Sequence, residues 1–132
     1  MATVLDTHAT VWCLTAPEEL SPAALQAIRG ATQAGEPLYV PSISIVEVVY
    51  LVERGRLPRT ALTRLTDALK YEDSALVVAA LDAEEAESVR GVPREMVPDM
   101  PDRIIAATAL HLGLPLVTRD QRIQSAGIQT IW

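Results

Sequence analysis

Thr3-Val-Leu-Asp-Thr-His-Ala-Thr-Val-Trp-Cys-Leu14 sets a three-residue apolar run directly against a helical stretch, with Asp6 as the hinge between them. A run so short and so apolar reads as a strand buried on both faces, and His8 to Leu14 as the helix that follows it. The same grammar recurs downstream. Leu38-Tyr39-Val40 is a second strand, ended by Pro41, after which Ser42 is placed to cap a helix that carries Glu47 and stops near Gly55. Leu76 to Ala79 is a third strand, followed by a short helix from Asp82 with acids in its first turn. Leu116 to Thr118 is a fourth, leading through Asp120 into a short helical turn, and Ile128 to Ile131 is a closing fifth.

Longer helices fill the gaps. Ser21-Pro22 supplies a capping hydroxyl and a proline at the first helical position for a helix to about Gln33. Pro58 to Lys70 is amphipathic, with Leu62, Leu65, Ala68 and Leu69 on one side. The three prolines between Gly91 and Pro101 make that stretch a loop, and helix returns from Asp102 to Leu112, stopped by Gly113 and Pro115. Short apolar strands alternating with helices predict an α/β fold with a parallel sheet covered on both faces.

Bulk properties narrow the possibilities. The 132 residues, 49% hydrophobic, are expected to form one domain over 1–132. No apolar stretch approaches the roughly 18 residues that a membrane span needs, and no signal-peptide pattern opens the chain, so a cytoplasmic location is expected. Cys13 is the only cysteine, which excludes an internal disulfide. A net charge of −6 argues against a general grip on nucleic acid, although ten of the eleven basic residues are Arg, the side chain suited to phosphate forks.

Against that background four acids stand out. Asp6 and Asp120 follow the first and fourth strands, Glu47 interrupts the apolar run Ile43 to Val52, and Asp102 opens the last long helix. In an open α/β sheet, ligands bind beyond the carboxyl ends of strands, and helices that return antiparallel begin at that same edge. All four acids are therefore expected to meet. Like charges gathered in a partly buried site either take up protons or share a cation, and a divalent metal is the economical answer.

Neighbouring residues have both structural and chemical readings. Asp99-Met-Pro-Asp102 has the spacing of an N-cap and the acid three residues on, and Asp120 can cap a short helix of its own. Ser44, one turn before Glu47, is placed to hold its carboxylate; Thr7 and Thr118 carry hydroxyls that either cap or orient an acid or a bound water. Arg103, Arg119 and Arg122 flank the acids, either pairing with them or facing a phosphate. His8 reads as a packed or supporting group, His111 as a surface residue near a helix C-terminus, and Trp12 and Trp132 as core and edge packing.

Three segments, Val4 to Trp12, Pro98 to Leu110 and Leu114 to Asp120, together with the looser Tyr39 to Glu47, make the chain resemble a PIN domain, specifically the VapC-type toxins of bacterial toxin–antitoxin operons. Each motif alone is weak, but their order and spacing cover nearly the whole chain. The resemblance implies an α/β/α sandwich with a sheet of about five strands ordered 3-2-1-4-5. It further implies Mg²⁺- or Mn²⁺-dependent RNA cleavage by acids matching Asp6, Glu47, Asp102 and Asp120, a homodimer, and inhibition by a cognate VapB-type antitoxin. Asp99 matches the first acid of an Asp-Pro-x-Asp-Arg pattern that Met100-Pro101 breaks, which ranks it as accessory.

Two other classes compete. A PIN-like component of an antitoxin repressor complex with little nuclease activity would share these motifs. A receiver-like Mg²⁺-binding signalling domain would need a lysine at the end of its fifth strand, whereas the only lysine is Lys70, which lies elsewhere.

Overall fold

Every short apolar run pairs in parallel. The computed structural model describes residues 1–132 and contains one five-stranded sheet in the order β3-β2-β1-β4-β5. Its strands are β1 (Thr3–Leu5), β2 (Leu38–Pro41), β3 (Leu76–Ala79), β4 (Leu116–Val117) and β5 (Thr130–Ile131). β1 is central: Val4 lies opposite both Tyr39 of β2 and Leu116 of β4. Parallel pairing demands a crossover between neighbours. The helices supply it: α1 (Thr7–Thr15), α2 (Pro22–Gln33), α3 (Ser42–Glu53), α4 (Arg59–Lys70), α5 (Ala83–Ser88), α6 (Met100–Leu112) and α7 (Gln121–Ser125).

Because successive strand side chains point to opposite faces, the central strands feed two cores. Leu5 and Val117 join Leu38, Val40, Val48 and Leu65 on one side. Val4 and Leu116 join Ile105, Ala106, Ala109 and Ile123 on the other. The expected layered sandwich and strand order are both present.

Local differences have identifiable causes. Ser42 does not cap α3: the N-cap is Pro41, and Ser42 is the first helical residue, its Oγ instead accepting the Leu81 N–H across the chain at 3.1 Å. Helix α6 starts at Met100 rather than Asp102, because Asp99 caps it and Pro101 sits in the first turn, where a missing N–H costs nothing. The proline-rich stretch before it is a loop with anchors. Val92 and Val97 are completely or almost completely buried in the second core. A short 3₁₀ turn at Pro17–Glu19 also joins α1 to α2.

Gly113 closes α6 in the left-handed conformation, with φ of 66°, and turns the chain into β4. A Cβ there would meet nothing within 4 Å, so backbone strain alone would penalise a substitution. Gly113→Ala is expected to lower unfolding free energy by about 1 kcal/mol or slightly more, read as a reduced urea midpoint at unchanged slope.

Candidate active site

Helices α1, α3, α6 and α7 begin at the carboxyl edge of the sheet and bring the acids there, α1, α6 and α7 each behind a capping aspartate. Asp6 follows β1 and turns one oxygen, Oδ1, toward the Ala9 amide, which donates to it at 2.8 Å and so starts α1. Asp120 does the same for α7, accepting the Arg122 N–H at 2.9 Å. Asp99 Oδ2 accepts the Asp102 N–H at 3.2 Å, which places Asp102 in the first turn of α6. Glu47 lies just over one turn into α3 and takes the Thr7 hydroxyl at 2.5 Å.

These elements bring Asp6, Glu47, Asp102 and Asp120 to the walls of one cleft of about 350 Å³, floored in part by Leu51 and Ile105 and bordered by Thr7, His8 and Arg119. Asp99 lies in an adjoining hollow with Val46, Tyr50 and Met100 instead, touching the acid cleft through its neighbour Glu47. Its capping role is the one expected from its spacing to Asp102.

The hydroxyls divide their work differently from expectation. Thr7, and not Ser44, holds Glu47; Ser44 is fully buried with its Oγ 3.0 Å from Thr7 Oγ1. A hydroxyl has one proton. Since Thr7 gives its proton to the carboxylate, Ser44 completes the chain by donating to Thr7. Thr118, also fully buried, accepts the Asp120 N–H at 3.0 Å and acts on Asp6 through its own hydroxyl, joining the ends of β1 and β4.

Electrostatically the acids are uncompensated. The ion pairs of the chain are Met1 N-terminus with Glu36 and Arg90 with Glu87, both away from the cleft. Burial is the main influence that pushes the Asp6 carboxyl above the usual range, against hydrogen bonds from Thr118 and Ala9 and the nearby His8. Burial likewise raises Glu47, opposed first by Thr7 and reinforced by Asp99. Asp102 is pushed up to about 7 by burial and then by the charges of Asp99, Asp120 and Glu47.

The three arginines part company. Arg103 donates from Nε to the Val92 carbonyl at 2.9 Å and thereby fastens the proline-rich loop to α6, a structural duty that sequence proximity to Asp102 does not reveal. Arg122 borders a different hollow, with Met96, Gln121 and Ser125. Arg119 alone lines the acid cleft, its guanidinium over the Trp12 ring. His8 is exposed and borders the cleft, closer to the chemistry than a packed residue.

The donor set fits a hard divalent cation. No three His, Cys, Asp or Glu side chains converge into a closed cage. The carboxylates instead line an open cleft, which suits an ion that keeps several of its waters and binds few carboxylates directly. A cation would also relieve the repulsion recorded in the raised carboxyls.

Comparison with known proteins accords with this geometry. The PIN domain family matches residues 3–128. The chain is 35% identical to Ribonuclease VapC22 of Mycobacterium tuberculosis over 126 residues, which is 95% of this chain and 92% of that one. Its fold resembles that of VapBC2 from Rickettsia felis, solved bound to a promoter DNA fragment, with a TM-score of 0.72 at 15% identity over 98% of this chain and 97% of that chain. A toxin–antitoxin complex from Klebsiella pneumoniae gives a TM-score of 0.66 at 21% identity, covering 98% and 96%.

The acid set makes stability fall with pH when no metal is added. With a folded value of about 7 against an ordinary 3.8, Asp102 binds more protons in the native state across that interval. Its contribution is full below about 4 and is lost as pH rises through about 7. Metal-free protein is expected to lose thermal stability between pH 5 and pH 8, and Asp102→Asn to flatten that decline. A slope identical in both proteins would contradict the assignment.

Proposed function

The chain belongs to the PIN domain family, and from that premise we propose that it is a VapC-type ribonuclease, a hydrolase of RNA phosphodiester bonds that uses Mg²⁺ or Mn²⁺ and is silenced by a cognate VapB-type antitoxin. The observation that carries the proposal is the convergence of Asp6, Glu47, Asp102 and Asp120 on one cleft with no cationic partner among them. Relatedness to a ribonuclease over nearly the full chain supports the same reading.

Asp6, Glu47 and Asp120 would hold the cation directly or through water, with Asp102 completing the set. Held there, such an ion would supply Lewis-acid chemistry, activating a water for attack and offsetting charge on the scissile phosphate. The protein's part is positional. Thr7 fixes the rotamer of Glu47, the Ala9 amide fixes Asp6, and the Arg122 amide fixes Asp120, so that each carboxylate is aimed before substrate arrives. Before a cation binds, the Asp102 carboxyl, raised to about 7, is suited to exchanging a proton with water near neutral pH.

A homodimer and a cytoplasmic site of action are part of the proposal. No helix is long and apolar enough to cross a membrane. Val46, Tyr50 and Met100 leave apolar side chains exposed beside Glu47 and Asp99, which suits a protein partner docking at the edge of the cleft.

Purified protein is expected to cleave RNA with Mn²⁺ or Mg²⁺ and to stop in EDTA, while Asp6→Asn and Asp120→Asn each reduce the rate by roughly a hundredfold or more, as loss of preorganised electrostatics does. Full cleavage by Asp120→Asn or in EDTA would reject the mechanism. Metal should also raise the melting temperature, by the equivalent of about 2.7 kcal/mol at a hundredfold excess over its dissociation constant.

For the partners, the neighbouring reading frame is expected to encode a small protein with a DNA-binding N-terminal segment that co-purifies with this chain and suppresses its cleavage. A complex that cuts RNA at the free enzyme's rate would exclude inhibition.

A further inference from the structure

Arg119 lines the same cleft as four carboxylates, yet forms an ion pair with none of them. Its guanidinium carbon lies 4.8 Å from the centroid of the Trp12 ring. Trp12 is itself braced: it packs against the first core, tilts against Trp132 at 5.9 Å and 48°, and faces His8 at 5.4 Å. It sits four residues after His8 on α1, the helix that Asp6 caps. One short element therefore aims both a carboxylate and the indole.

A guanidinium laid on an aromatic face commits that face and leaves its N–H donors pointing outward in its own plane. Donors so arranged, and not taken by a carboxylate, match the paired oxygens of a phosphate. Arg119 is exposed, so approach is open. The other two arginines near the acids lack this disposition, one being bonded to Val92 and the other lying in a separate hollow.

We propose that Trp12, backed by Trp132, holds Arg119 as a phosphate clamp that grips the backbone of an RNA strand beside the acid cleft. The clamp rests on the ribonuclease reading for the identity of its ligand. Arg119 touches the substrate; Trp12 is a positioning residue acting through it. Stacking solves a specific problem at this site, since a free guanidinium beside Asp120 and Asp6 would fold onto them, cancel the clamp and compete with metal.

The test uses the purified full-length chain and a fluorescein-labelled single-stranded RNA, with binding followed by anisotropy in Ca²⁺ and cleavage followed in Mn²⁺. Arg119→Ala is expected to weaken binding and raise KM about tenfold, the loss of one charge-assisted contact, with a smaller change in kcat. The salt dependence of log K should fall by about 0.7, one phosphate contact on a single strand. Trp12→Leu should move KM in the same direction, Trp12→Phe should restore most of the loss by keeping a ring, and Arg119→Lys should remain below wild type because the fork is gone. The double variant Trp12→Leu with Arg119→Ala should be no worse than Arg119→Ala alone.

Trp12 and Trp132 are the only two tryptophans, so emission excited at the red edge of the indole band, where the three tyrosines do not absorb, reports on the clamp. It should change on RNA binding in wild type and not in Arg119→Ala. Unchanged affinity and salt slope in Arg119→Ala, or multiplicative losses in the double variant, would overturn the clamp. If Trp12→Leu does not fold, Trp12→Phe and the two Arg119 variants still decide it. Wild-type protein that binds RNA without cleaving it rejects the ribonuclease reading while the binding measurements still judge the clamp, and protein that does neither overturns both.

Discussion

Helix capping at the carboxyl edge of the sheet is the constraint on which the rest of this molecule depends. A helix start leaves backbone N–H groups without partners, and a carboxylate one residue before the helix satisfies them. Here Asp6, Asp99 and Asp120 each do so, for α1, α6 and α7. The capping bond holds one oxygen of each carboxylate and thereby sets the direction of the other. Precision at the site comes from the same contacts that start the helices, so site geometry and helix geometry cannot drift apart.

That economy has an energetic consequence. Helix N-termini favour negative charge, yet Asp6, Glu47 and Asp102 all have raised carboxyls, with burial as the first cause in each. At Asp6 and Glu47 desolvation outweighs the hydrogen bonds that favour the charged form, and at Asp102 the neighbouring acids act in the same direction as desolvation. The fold is held together by two apolar cores on either side of the sheet, with Leu65 and Ile105 among their almost fully buried members, and those cores sustain a cluster of acids that would not assemble on its own.

Much of this was legible in the residues themselves. Strands of two to four apolar residues, each followed by a polar turn or helix start, give the parallel α/β sheet because no other arrangement buries both of their faces. The convergence of Asp6, Glu47, Asp102 and Asp120 follows from the polarity of that arrangement, and the strand order came from resemblance to the PIN domain. What escaped was decided between elements distant in sequence. Ser44 lies one turn from Glu47 on the same helix, but the bond to Glu47 comes from Thr7, forty residues earlier, because the N-terminus of α1 crosses α3 there. Ser42 looks like a cap by residue type, yet its hydroxyl is engaged by Leu81 beyond β3. Arg103 adjoins Asp102 in sequence and serves a carbonyl in the loop before α6. Local pattern names the candidates; which partner each takes depends on crossings that spacing does not encode.

The arrangement of arginines follows from the acids. A set of carboxylates gathered in one cleft is a strong trap for the protein's own cations, and ten arginines are available. An internal ion pair would stabilise the metal-free fold and weaken the site in the same step, since a paired carboxylate must be freed before it can bind a metal. The two arginines nearest in sequence to the acids on α6 and after β4 are each engaged by something uncharged: Arg103 by a backbone carbonyl, Arg119 by the face of an indole. A carbonyl and an aromatic ring satisfy a guanidinium without neutralising it. No internal cation therefore occupies the acids that an incoming one would take, and the stability forgone at the site is supplied by the cores beneath it.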